Sequence, residues 1–558
     1  MLNKSFLTRL YALVFTYLCK YVIIGIDSSG ENSKKYEYSH LNENCHILDE
    51  KLLQSIFDHI ESNEAHYIKE LSEAVKFPSV SAFPEDYPEL LHVVEWSQKM
   101  FRNMGFRSDI KFINYKIKQY KRRRENPHKH TNKYRHRRDL LIETFGPPFL
   151  FNTLPQSKSS PSNNISLLIY GHLDVVPARR SDGWKSDPFV LTRVGDNLYG
   201  RGSSDNKGPI LAWINAIRAM IDLKICIPMK IKFFLETAEE SGSFGLRRIF
   251  KQEKRFFKNI DYAVISDNFC PNVKNPCLTY GLRGLLYFYV QIQSAKEDLH
   301  SGVYGGSVHE STIQLVEILS KLSNVTTGQI TIPGVYDDID PLTADEINAY
   351  SNFDFNMEDY KKNVGSLGYL LHSSKIDALS HKWREPSLSI HGIEGAFSGP
   401  GAKTVIPHKV IGKFSIRLVP HQDPQKVKNN VIEYITKLHK QHNTGNSLNI
   451  VIEEEVESWL TNYKNNNFQL ASEAIKRVYG RYPDLTRDGG TVPAAVYLSK
   501  YLKDPNNSLI LMPLSYAADG AHSENEHINI NRHIMGIKSL VSYIYELAKH
   551  HSLLDQSN

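Results

Sequence analysis

Cysteine is scarce. Five residues, Cys19, Cys45, Cys226, Cys270 and Cys277, are spread over 558 positions, and no two form a CxxC pair. That excludes a disulfide-dense scaffold and a Cys-based zinc site, so any metal has to be held by histidines and carboxylates. No internal repeat of fixed period is present. Long apolar runs are lacking too. Phe6 to Ile26 is broken by Arg9 and Lys20, and its clean part is Leu10 to Cys19. That run has the length of a signal-peptide core and is shorter than the roughly 20 residues a bilayer span needs. Lys20 could snorkel and extend it to Ile26. No small-x-small cleavage site follows, while sequons at Asn164, Asn324 and Asn506 are compatible with secretion. Residues 1–26 are expected to be a signal peptide or membrane anchor, giving a secreted or anchored protein; a cytoplasmic location is the alternative. Residues 27–47, polar and aperiodic, are expected to be a linker.

Acidic charge is short overall, but only because of one segment. The net charge is +6. Lys116 to Arg138 holds eleven Lys or Arg and one Glu, so it contributes +10 and leaves −4 for everything else. The body is mildly acidic. The basic insert 116–138 is expected to be a solvated loop, with polyanion contact as its alternative.

What is present is ordinary globular composition, 41% hydrophobic and 23% charged, in a chain long enough for two or more domains. Helical spacing runs from Leu48 to Lys76, ended by Pro78, and again from Leu90 to Met104, ended by Gly105. Short apolar strands follow at Ser166–Tyr170, Met229–Leu235 and Tyr262–Ser266, with a helix over Ile210–Met220 between them. Strands alternating with helices predict an α/β unit with a mostly parallel sheet and helices on both faces. Between about Thr279 and Gln441 the pattern becomes α+β, with strands at Gly284–Gln293 and Lys409–Val419. Helices over Phe468–Tyr479 and Ile537–Lys549 then suit the first unit. The expected organisation is 48–278 and 442–552 forming one unit, interrupted by 279–441.

The chemistry-bearing residues cluster at the ends of those strands, where ligands of such sheets sit. Gly171-His172-Leu-Asp174 puts His172 and Asp174 on one side of an extended strand end, where Asp174 can accept the proton of the ring nitrogen not bound to metal. Gly200-Arg-Gly-Ser-Ser-Asp205 brings backbone close to an Asp that opens a helix. Glu239-Glu240 follows a buried strand; one carboxylate can bind metal while its neighbour takes a proton from water. Asp267 ends the third strand, and Asp519-Gly-Ala-His522 presents a histidine far downstream. Singly, each has an ordinary structural alternative: a hydrogen-bonded histidine, an N-capping aspartate, a solvated Glu pair. Together they form a nitrogen- and oxygen-rich set suited to Zn²⁺ or Mn²⁺.

The blocks YGHLDVVPA, LYGRGSSDNKGP, ETAEESGSFGL, YAVISDN, LTYGLRG, DLHSGVYGGSVHE, KFSIRLVP, PDLTRDGGTVP and ADGAHSENE extend over about residues 50–550. In them the chain resembles the carnosine dipeptidase and cytosolic non-specific dipeptidase family, relatives of the aminoacylases and glutamate carboxypeptidases. The resemblance implies metal-dependent hydrolysis of dipeptides such as Cys-Gly or carnosine, with N-acyl-amino-acid deacylation as the near alternative and polyanion binding as the distant one. It implies two divalent ions per subunit, bridged by Asp205, with His172 and Asp267 on one and Glu240 and His522 on the other. Glu239 would be the general base, Asp174 would orient His172, and a cis peptide would follow Asp205. It also implies substrate binding by Arg417, Thr491, Thr404 and His391, and a homodimer in which His300 reaches the partner subunit's site. The inserted 279–441 unit would be a lid and dimerisation domain. Nucleic acid is not expected as a partner. Thr491 stands where relatives usually carry Ser, which keeps the hydroxyl and crowds the pocket.

Overall fold

The computed structural model describes residues 46, 48–119, 140–157, 165–271, 275–365, 368–504 and 508–557. The expected leader, nearly all of the expected linker, residues 120–138 of the basic insert, and Asn164 and Asn506 lie outside the described residues. Among the described residues, no helix is long and apolar enough to cross a membrane.

The first sheet has nine strands. Its centre is parallel: Lys230–Glu236, Ser166–His172, Tyr262–Ile265 and Leu509–Leu511 lie side by side in that order. Strands beyond this centre return antiparallel. Phe149–Leu154 and Arg107–Lys111 form one edge; Cys277–Leu282 and Trp459–Leu460 lie toward the other. The sheet is therefore mixed: most of its parallel pairing lies in the central strands buried on both faces, and one further parallel pair joins Asp484–Asp488 to Cys277–Leu282. Ser166–His172 illustrates why that strand reads as an unbroken apolar run: Leu167 and Ile169 enter one core, Leu168 and Tyr170 the other. Helices Glu50–Ser62, Lys207–Asp222, Asn466–Tyr479 and Ile530–Ser557 cover the first face. Leu246–Gln252 and Pro493–Ser499 cover the second. The single helix expected over Leu48–Lys76 is two, Glu50–Ser62 and Glu64–Val75. Asn63 divides them: its side-chain amide bonds the His59 carbonyl at 2.8 Å, a local bond that competes with helix continuation.

The second sheet is antiparallel, in the order Ser387–Glu394, Lys409–Leu418, Gly284–Gln293, Ser447–Val456. Along Gly284–Gln293 every second residue is buried. Leu286, Phe288, Val290 and Ile292 pack under helices Ser311–Ser320 and Pro424–His442. Leu285, Tyr287, Tyr289 and Gln291 face the other way and stay partly open. The fourth strand, Ser447–Val456, lies beyond the unit boundary expected at 441, and Cys277–Leu282 of the first sheet crosses the one expected at 278. Cys270 and Cys277 are joined by a disulfide.

Candidate metal centre

The fully buried strand Ser166–His172 delivers His172 to the carboxyl edge of the first sheet. Its Nε2 lies 3.1 Å from Asp205 Oδ1 and 3.1 Å from Asp267 Oδ1. Asp267 follows the neighbouring strand Tyr262–Ile265. The other Asp205 oxygen, Oδ2, lies 3.1 Å from His522 Nε2, and that same nitrogen is 2.9 Å from Glu240 Oε2. Asp205 thus stands between two imidazole–carboxylate pairs. The peptide bond after it is cis. Glu239 offers a carboxylate oxygen to the group formed with His172 and Asp267, all within 4.8 Å of one another. His172, Asp205, Asp267 and Asp174 are buried; His522 is the outermost member, with its side chain 59% exposed.

Asp174 faces the His172 ring with both its backbone carbonyl and its carboxylate. His172 Nδ1 is 3.0 Å from the Asp174 backbone carbonyl and 3.4 Å from its carboxylate. The carboxylate also accepts the backbone N–H groups of Glu239 and Glu240, at 3.2 and 3.1 Å. One residue therefore orients His172 and, through its side chain, fixes the acidic turn. A carboxylate can do this because Glu239–Ser241 is a helical turn with unsatisfied N–H groups at its start.

Electrostatics of the cluster follow from burying surplus negative charge. Burial, reinforced by Asp205, pushes Glu240 up to about 7. Burial, reinforced by Asp267, holds Glu239 well above the usual carboxylate range. Burial also raises Asp267. Hydrogen bonds to Asp205 and Glu240 lift His522 to about 11. For His172 burial opposes charge, and the surrounding carboxylates of Asp267, Asp174 and Asp205 outweigh it. Asp205 alone among these acids is lowered: burial opposes its charge, and its hydrogen bonds to His172 and His522 outweigh burial. A site that raises its other acids and its imidazoles is short of positive charge, which is what divalent ions supply. The spacing fits as well. Ligand atoms on one tetrahedral ion with bonds of about 2.0–2.1 Å lie about 3.3 Å apart, close to the 2.9–3.1 Å found here.

The expected substrate residues fall into separate groups. Arg417 Nη1 donates to Thr491 Oγ1 at 2.7 Å, and Thr491 donates to the Arg283 carbonyl at 2.7 Å. His391 shares a 2.8 Å hydrogen bond with Ser415 Oγ and stacks on Tyr287. Burial and then nearby Arg417 lower its pKa. Thr404 sits elsewhere than His391. Its carbonyl accepts from Ser301 N at 3.1 Å, and the adjoining Val405 pairs with His300. His300 is exposed, and its Nδ1 accepts from Gly302 N at 3.0 Å. Among the described residues, no hydrogen bond or ion pair joins His300 or Thr404 to the metal-ligand group or to Arg417.

Two residues at the site were not expected from the sequence. Arg283 clamps the Thr491 loop: its N and Nε donate to the Gly490 and Gly489 carbonyls. Burial and then Arg417 lower its pKa to about 10. Glu526 binds the loop that carries Asp205. Both lie inside blocks already singled out, LTYGLRG and ADGAHSENE, so position within a motif was the available signal.

Comparison with known proteins places the chain in a family. The model of peptidase family M20/M25/M40 matches residues 168–546. The chain is 38% identical over 501 residues to the Beta-Ala-His dipeptidase of Homo sapiens, covering 90% of this chain and 94% of that one. It is 37% identical over 498 residues to the Cys-Gly metallodipeptidase dug1 of Schizosaccharomyces pombe, covering 89% and 98%. The crystal structure of human carnosine dipeptidase 1 superposes with a TM-score of 0.78 at 37% identity, over 89% of this chain and 99% of that one. The dipeptidase Dug1p of Saccharomyces cerevisiae gives 0.78 at 34% identity, over 89% and 98%. With its sheet order, its cluster at the carboxyl edge and these matches along nearly its whole length, this chain belongs to the M20/M25/M40 family of peptidases.

Proposed function

We propose that the protein hydrolyses the peptide bond of dipeptides of the Cys-Gly or carnosine kind, using two divalent ions, Zn²⁺ or Mn²⁺. The observation that carries this reading is the placement of Asp205 between two imidazole–carboxylate pairs. His172 and Asp267 would hold one ion, Glu240 and His522 the other, and Asp205 both. When bound, such a pair polarises the scissile carbonyl and acidifies the attacking water.

The chain's own groups supply the rest. Glu239, raised by burial and by Asp267, takes the water's proton as the oxygen attacks the carbonyl carbon, then delivers it to the nitrogen as the C–N bond breaks. Arg417, with Thr491 beside it, binds the free carboxylate of the dipeptide through its guanidinium fork. His391 lies on the same sheet, near enough to Arg417 for its titration to respond. His300 stabilises the oxyanion from the neighbouring subunit, and Thr404 accompanies it just before the paired strand, where its carbonyl accepts from Ser301 N. Exposed apolar residues close to His300 support a homodimer there: Val303, Val308, Ile313 and Val316 all face solvent in the single chain.

We also propose that the chain matures in the secretory pathway. The Cys270–Cys277 disulfide supports an oxidising compartment, and mass spectrometry of unreduced protein from its native source tests it. Free thiols at both positions would overturn that assignment.

Purified protein incubated with a panel of dipeptides and N-acetyl amino acids tests the activity. Cys-Gly or carnosine should be cleaved, activity should vanish on chelation, and Zn²⁺ or Mn²⁺ should restore it. Cleavage of the acetylated compounds alone would assign a deacylase, and indifference to chelators would overturn the two-ion reading.

A further inference from the structure

Glu526 is buried without solvent contact, and its carboxylate accepts five hydrogen bonds. Oε2 takes Arg201 Nη1 at 2.8 Å and Gly202 N at 2.9 Å. Oε1 takes Ser204 N at 2.8 Å, Ser204 Oγ at 2.9 Å and Asp205 N at 2.9 Å. The Glu526 carbonyl also accepts Gly200 N at 2.9 Å, and Arg201 Nη2 donates to the Ser523 carbonyl at 3.0 Å. Three backbone N–H groups of one loop thus converge on an anion, the concave arrangement that binds anions in general. Here the anion is a side chain 321 residues from Asp205 in sequence. Close approach is possible because Gly202, at φ +87°, has no Cβ; one there would lie 2.9 Å from Val175 Cγ1.

We infer that Glu526 is a positioning residue for the metal centre, holding Asp205 in register with His522. Its place in the chain is the reason. His522 lies four residues before Glu526, so the same short segment supplies one imidazole and grips the loop that supplies the shared carboxylate. Because Asp205 faces both imidazoles, a shift of its loop alters both halves of the centre at once. Arg201 supplies the charge that lets a carboxylate remain buried there. This inference rests on the two-ion reading above. It adds a residue that touches neither ion nor substrate.

Glu526→Gln keeps the shape and replaces one acceptor oxygen with an NH₂ group facing donors. Ser204→Ala removes one of the five bonds and is the milder probe. Full-length wild type and both variants are titrated with Zn²⁺ and with Mn²⁺, and kcat and KM for a cleaved dipeptide are measured at saturating metal. The expected result for Glu526→Gln is metal affinity weaker by about 10–100-fold, the range for partners that orient ligands, with kcat lowered and KM unchanged. Ser204→Ala should move the same way by a few-fold. Wild-type metal affinity in both variants, with only a lower melting temperature, would overturn the inference and leave Glu526 a purely structural group. Should Glu526→Gln not fold, unchanged affinity in Ser204→Ala overturns it alone. Absence of Zn²⁺ and Mn²⁺ binding by the wild type would instead bring down the two-ion reading on which it rests.

Discussion

The carboxyl edge of the first sheet and the outer parts of the second unit are built to different standards. At the first, His172, Asp205, Asp267, Glu240 and His522 meet within hydrogen-bonding distance inside one chain. Buried strands and the Asp174 carboxylate fix them from behind. At the second, Arg417 bonds Thr491 of the first unit, while the exposed His300 and Thr404 lie at a short strand pair, Leu299–His300 with Val405–Ile406, that among the described residues has no hydrogen bond to either group. Ligands for metal need fixed mutual distances before substrate arrives, whereas groups that grip substrate need only converge once it is bound and the subunits are paired. On the function proposed above, one chain would carry a preassembled metal-binding cluster and a substrate site still to be completed.

The largest expected effect tests the preassembled half. Glu239→Gln should retain both ions and lose about 10²–10⁴-fold in kcat, because the amide cannot accept a proton. Metal analysis beside turnover checks it; lost metal would mean that Glu239 and Glu240 have exchanged roles. The half still to be completed is probed by His300→Ala, for which the loss of one oxyanion donor predicts about 10²–10³-fold in kcat. Mixing these two inactive variants under conditions that exchange subunits should restore about a quarter of wild-type activity. Half the dimers in a statistical mixture are hetero, and each holds one site with both groups intact. Verified heterodimers without activity would place His300 in its own chain's site.

A smaller effect separates binding from chemistry within one chain. Arg417→Lys keeps the charge but loses the planar fork that matches a carboxylate. KM for dipeptides should rise about tenfold, and Arg417→Ala should cost about 10–100-fold in kcat/KM, as for a hydrogen bond between charged groups. A fall in kcat at unchanged KM would remove Arg417 from carboxylate binding.

Local signals carried much of this into the sequence. Strand Gly284–Gln293 was legible to the residue because period-2 alternation reports a sheet with one covered face. The candidate ligand positions were legible for different reasons: His172 and Asp267 stand where apolar strand runs stop and Glu240 follows shortly after one, whereas Asp205 and His522 are marked by the Gly-containing motifs around them. What stayed hidden depends on groups distant in sequence. The grip of Glu526 on Asp205 and the Arg283 clamp on the Thr491 loop join segments 321 and 208 residues apart. Asp174 was assigned to the His172 ring because residues two apart share one side of a strand end, and its carboxylate lies 3.4 Å from that ring; its second bond, to the turn at Glu239, was hidden. The Ser447–Val456 strand was missed as part of the second sheet since its partner, Gly284–Gln293, lies far upstream. Nor could Ile530–Ser557 be seen at full length: the reading began at Ile537, leaving out the turns from Ile530 that follow the loop strand His527–Asn529.

The smallest predicted effect concerns stability, and compares two buried histidines of the first unit. His172 is surrounded by carboxylates, and its pKa lies well above the ordinary value. His533 is equally enclosed, neither ring nitrogen has a partner among the described residues, and burial alone lowers its pKa to about 4. Its folded-state value is below the roughly 6.5 of an unfolded chain, so the fold favours the neutral ring. Above pH 6.5 both states are neutral there and the full contribution is present. As pH falls toward 4, the unfolded chain takes up a proton that the folded chain refuses. Stability should then drop by about 1.4 kcal/mol per pH unit, roughly 3 kcal/mol in all. Urea unfolding of wild type and His533→Leu at pH 7 and pH 5 isolates this from the metal ligands, which titrate alike in both proteins. The stability difference between the two proteins should shift by about 2 kcal/mol in favour of the variant at the lower pH. An unchanged difference would mean that His533 is reached by water or a partner, and that the interior beneath the metal edge is less apolar than its packing implies.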